Sequence, residues 1–162
     1  MTLRTAFHMT AGSRRNRFPL SKGCSFCLVI SSCFFLIPGY YALSSGLYWY
    51  LATSTVTTIV SVNYWRHAIP GFRRSIDMIV AKLSFMIYFT TGVMNVKDLS
   101  ILCTAWPMCG GIIMCYYLSN KMWGKDSDTW IYYHMMFHIL VAFEQYLVLV
   151  GSFHQLLRTS TK

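Results

Sequence analysis

His134 and His138 stand four residues apart in the stretch WIYYHMMFHILVAFEQYLVLVG, residues 130–151. On a helix that spacing puts both imidazoles on one face, one turn apart. The stretch is mostly apolar, and about 20 such residues suffice to cross a bilayer. Ionisable groups inside a membrane cost a few kcal/mol each, so they mark functional sites by default. Glu144 and Gln145 lie deeper in the same stretch. Upstream, His67, Asp77, Asn63 and Ser61 are the other polar groups near the ends of apolar segments. Three neutral imidazoles with an open fourth position form the ligand set of a catalytic zinc site. A neighbouring carboxylate holds a His tautomer or takes a proton from metal-bound water. The candidate zinc ligands are therefore His67, His134 and His138, with Asp77 as the carboxylate.

Elements must bring these residues together. The chain has 162 residues, 55% hydrophobic and only 12% charged, with mean hydropathy +0.44. Charge is too scarce for a soluble surface, where about a quarter of residues are charged. The expected fold is an all-α polytopic transmembrane bundle of about five spans, near 23–43, 46–66, 74–95, 99–119 and 129–151. Pro38-Gly39 should kink or shorten the first span, and Pro107 with Gly110-Gly111 should interrupt the fourth. Short connections favour antiparallel neighbours in one bundle, 23–151. Residues 1–22 form a basic N-terminal tail and 152–162 a short C-terminal tail. The first acidic residue is Asp77, so the tail reads either as a cytosolic topology anchor or as an organelle targeting segment.

The net charge of +9 does not point to nucleic acid, because the cations sit in tails and loops between apolar spans. Arg4, Arg14, Arg15, Arg17, Lys22, Arg66, Arg73, Arg74, Lys121 and Lys125 fall on one face. Lys97, Arg158 and Lys162 fall on the other, with Lys82, inside the third span, left out of the count. This asymmetry puts the N-terminus on the cytosolic or matrix side. The endoplasmic reticulum or Golgi is the favoured compartment, with the mitochondrial inner membrane as the competing one. In that topology the second span ends, and the third and fifth begin, on the basic face. His67, Asp77, His134 and His138 then share one depth.

The segment His134-Met-Met-Phe-His138-Ile-Leu, with Tyr146 eight residues after the second His, resembles the last transmembrane helix of the alkaline ceramidases. That family belongs to a wider superfamily of membrane hydrolases that includes the adiponectin receptors. It carries Ser-x3-His at the end of the second span and an Asp roughly ten residues later. Asn63-Tyr-Trp-Arg-His67 followed by Asp77 is similar to this pattern, and about a fifth of the chain is covered. Two departures stand out. Asn63 occupies the Ser position, with Ser61 two residues out of register, and the family has seven spans. The resemblance implies a zinc-dependent amidohydrolase of a membrane lipid amide such as ceramide, or of a related acyl bond. It implies that His67, His134 and His138 bind Zn2+ and that Asp77 handles the water proton. Asn63, or Ser61 beside it, would steady the bound water or the oxyanion.

Other readings compete. The histidine pair could hydrogen-bond across helices and do no more, and His67 could be only interfacial. A bis-His haem needs ligands on opposite ring faces, which one helix cannot supply. Asp77, Lys82, His138 and Glu144 could line a proton or ion pathway. A Lys82 aimed at the histidines would disfavour zinc. Cys24-Ser-Phe-Cys27 lacks a second metal-binding pair and reads as ordinary apolar cysteine. The alternative from another class is a non-catalytic subunit of a larger membrane complex, with partner subunits and a degenerate metal site.

Overall fold

The computed structural model describes residues 22–69, 71–123 and 128–160. The basic tail and its targeting reading lie outside the described residues, apart from the backbone of Lys22. Every described element is helical. The first rod is α1 (Lys22–Ser32), a 3₁₀ turn (Cys33–Phe35) and α2 (Leu36–Ser44) in succession. Four further rods follow: α3 (Tyr48–Trp65), α4 (Phe72–Asn95), α5 (Leu99–Met122) and α6 (Thr129–Ser160).

Four segments are long and apolar enough to cross a membrane: Gly23–Ser44, Phe72–Asn95, Leu99–Met122 and Thr129–Leu156. The chain is an integral membrane protein. The count of five holds for rods but not for apolar spans, and α3 is the difference. Its 18 residues are long enough for about 27 Å. Ser54, Thr57, Thr58 and Ser61, however, are turned inward and buried, which lowers its hydropathy while leaving Ile59 and Val56 outside.

Pro38 explains the break in the first rod. Proline offers no N–H and crowds the carbonyl four residues back, and the chain tightens into the 3₁₀ turn at Cys33–Phe35. The break is local, and helix resumes at Leu36. The turn to α3 needs Gly46, whose φ is +71°. There the Leu47 amide reaches back to the Ala42 carbonyl at 2.8 Å, a helix stop of the left-handed kind. Pro107 does not interrupt α5, which is helical from Leu99 to Met122. Transmembrane helices tolerate proline where neighbouring groups re-satisfy the freed carbonyl. Asp98 caps α5 by accepting from the Ser100 amide at 2.9 Å.

The expected C-terminal tail is instead helix: α6 continues past Gly151 to Ser160. Gly151 is there for contact rather than termination. A methyl group on it would stand 2.9 Å from Val96 and 3.2 Å from Ile101, at the short connection between α4 and α5. α6 is the central rod, packing on α1, α2, α4 and α5. α3 packs on α1, α2 and α4. Among the described residues, α4 and α5 do not pack on each other although only three residues join them. α3 and α6 have no close backbone approach either.

Candidate functional site

The Trp65 side chain fills the space between α3 and α6. Its ring centroid lies 4.8 Å from that of His134 and 6.4 Å from that of His138. Trp65 is only 3% exposed and belongs to a cluster with Leu28, Tyr64, Ala68, Trp130 and Ile131. The two imidazoles are edge-on to each other, 4.7 Å between centroids, as the i,i+4 spacing requires.

Each imidazole is held by a serine from another helix. Ser31 Oγ lies 2.9 Å from His138 Nδ1, and Ser119 Oγ lies 3.2 Å from His134 Nδ1. Both of these hydrogen bonds use Nδ1. Ser31 is also placed to donate to the Leu28 carbonyl at 3.0 Å. When its single proton is used there, His138 must donate from Nδ1, which leaves a bare lone pair on Nε2. Beside this pair runs a hydroxyl chain. Ser32 Oγ is 3.0 Å from Ser61 Oγ, and the Ser61 hydroxyl stands beside the Asp77 carboxylate. The Ser25 hydroxyl donates to the Trp65 carbonyl and ties α1 to the end of α3. Residues of α1, α3, α4, α5 and α6 thus meet in one buried polar centre. Two buried donors next to it, Tyr64 Oη and Trp65 Nε1, have no hydrogen-bond partner among the described residues.

The sequence-derived residues divide into two groups. Ser61, Asp77, His134 and His138 are brought to this centre. Asn63 and His67 are exposed and are not. Asn63 lies two residues from Ser61, about 200° around the helix, so only one of them can face inward. His67 lies in the turn after α3. Ala68, with φ +45°, is fully buried under the aromatic cluster, and this anchor leaves His67 outside. Among the described residues no three His, Cys, Asp or Glu side chains are grouped to hold a metal ion. Two imidazoles, not three, stand at the centre among the described residues. The α3 position facing the histidines holds an indole, whose N–H only donates. Lys82 is exposed on α4 and does not enter the centre. Tyr146 packs edge-on against Tyr41 at 5.2 Å.

Sequence reasoning passed over Ser31, Ser32, Ser119 and Trp65. One signal was available: Ser61-x3-Trp65 is a Ser-x3-aromatic register on the buried face, with tryptophan where the resembled families carry histidine. The fold and centre together define a class, an all-α membrane bundle with a buried Ser/Asp/His cluster. No family model, curated protein or solved structure matches the chain.

Proposed function

We propose that this chain is a non-catalytic subunit of a larger membrane assembly, built on a hydrolase-like bundle whose metal centre is degenerate. The observation that carries this reading is Trp65. It lies against His134 and His138 from α3, while His67 is exposed. An indole N–H cannot ligate a metal, and two imidazoles alone fall short of the three protein ligands of a catalytic zinc site. In this reading the Ser31–His138, Ser119–His134 and Ser32–Ser61–Asp77 contacts hold the helices in one arrangement. The orientation we adopt puts the ends bearing Arg66, Arg73, Arg74 and Lys121 on the cytosolic or matrix side. The endoplasmic reticulum or Golgi is the compartment preferred over the mitochondrial inner membrane.

A second reading keeps the zinc-dependent hydrolase of a lipid amide or related acyl bond. It draws on the two imidazoles whose Nδ1 atoms are hydroxyl-held, as metal-ligating histidines commonly are. It draws also on the Ser61–Asp77 pair beside them. Elemental analysis separates the two readings. Protein purified without chelator, a His134→Ala/His138→Ala variant and a Trp65→His variant are compared for bound zinc and for release of fatty acid from ceramide. The subunit reading expects no stoichiometric zinc in the natural chain, and zinc gained by Trp65→His. Stoichiometric zinc in the natural chain, lost with both histidines and accompanied by hydrolysis, overturns it in favour of the enzyme.

A further inference from the structure

Away from the polar centre, α4 and α5 diverge from the three-residue connection that joins them and leave a lateral groove. Its volume is about 50 Å³, its floor is α6, and its walls include Phe89 and Val93 on α4, Val96 in the connection, and Trp106 and Cys109 on α5. One ionisable carboxyl lines this apolar groove, Glu144. It lies fifteen residues from the start of α6, about 22 Å along the helix, so it is far from both interfaces. Among the described residues no hydrogen bond or ion pair engages it.

The same face carries the opposite charge. Lys82 stands seven residues before Phe89 on α4, so the two share one stripe. Lys82 is exposed and likewise without an ion pair among the described residues. It lies ten residues from the start of α4, about 15 Å in, beyond the roughly 6 Å that a lysine stem reaches when it snorkels. A cation and a carboxylate facing hydrocarbon at mid-depth are each costly, and such groups are found paired with each other.

We propose that this face is the interface of a homodimer, in which α4 of a second copy lies along the mouth of the groove and Lys82 of each copy pairs with Glu144 of the other. A two-fold interface uses the same patch on both subunits and must be self-complementary. A face that presents one cation, Lys82 on α4, and one carboxylate, Glu144 on α6, meets that condition. The proposal rests on the subunit reading for the premise that the chain assembles at all. It names the partner, a second copy, and does not depend on the state of the metal centre.

The test is single-molecule photobleaching of the full chain in lipid nanodiscs, with helix content checked by circular dichroism. The expected result is two copies per particle. Lys82→Glu or Glu144→Lys alone should lower the dimer fraction at least ten-fold at matched density, and the two reversals together should restore it. Should the reversed chains fail to insert, Lys82→Met and Glu144→Gln decide, because each removes one charge and inserts more readily. Loss of dimer in both supports the interface. A monomeric natural chain, with or without co-purified lipid in the groove, overturns the proposal. One copy bound to a different protein overturns it, and so does a dimer indifferent to both charge-removing variants. Zinc analysis is read separately, so either conclusion can fail alone.

Discussion

The bundle handles buried polarity in two opposite ways. At the polar centre, hydroxyls, imidazoles and one carboxylate from five helices engage one another: Ser31 with His138, Ser119 with His134, and Ser32 with Ser61 and Asp77. In the groove, Glu144 stands among apolar side chains between two helices that do not pack together. In hydrocarbon a polar group must find its partner within protein, because no water is present to serve. The hydroxyls and imidazoles of the centre are answered within one chain, although Tyr64 Oη and Trp65 Nε1 beside them have no partner among the described residues. The groove presents a group left unanswered among the described residues, and complementary chemistry is offered by the exposed Lys82 on α4.

Substitutions can break or sharpen that contrast. Ser61→Ala should have the largest effect on the fold, since it takes a hydroxyl away from the Asp77 carboxylate and leaves the Ser32 hydroxyl with the Leu28 carbonyl alone. The expected loss is about 1–3 kcal/mol, read by reversible unfolding in mixed micelles. A loss below about 0.3 kcal/mol, small against that desolvation cost, would mean that the centre is not held through Ser61. Gly151→Ala comes next, at roughly 1–2 kcal/mol, because its methyl meets Val96 at 2.9 Å. It should also splay the closed end of the groove, which increased protection from a lipid-soluble thiol reagent at Cys109 would contradict. Ser31→Ala should cost about 0.6 kcal/mol, the usual scale for one interhelical hydrogen bond in a membrane, and should shift the His138 ring resonances in NMR spectra. Asn63→Ala should change stability by less than about 0.5 kcal/mol, since the side chain is exposed. An effect equal to that of Ser61→Ala would return Asn63 to the site.

The last helix and its histidine pair were legible because period and length are local properties. Twenty apolar residues with His at i and i+4 can be read without knowing their neighbours. Asp77 was legible for the same reason, as the first acid in a chain of apolar segments. The residue that α3 sets against the histidines was not. Choosing between Ser61 and Asn63, and between Trp65 and His67, requires knowing which face of α3 turns inward. Polar residues surround that segment on both faces, so no hydrophobic stripe marks the buried one. The partners Ser31, Ser32 and Ser119 were hidden because serine in an apolar span usually bonds its own helix carbonyl, as Ser31 and Ser32 also do with Leu28.

By itself, the sequence determined that the chain is an integral membrane protein of antiparallel helices. Scarce charge and long apolar runs allow no soluble surface. It also determined that His134 and His138 leave one helix together. Only the tertiary structure decided what stands opposite them. The buried Ala68 turns the chain at the end of α3, leaving His67 outside and Trp65 against the imidazoles. Packing of α4 and α5 on α6 rather than on each other opened the groove around Glu144. Both outcomes depend on how helices rotate about their own axes and on which neighbours they choose. Those choices are made by side-chain shape and mutual polar satisfaction between distant segments, which no local pattern contains.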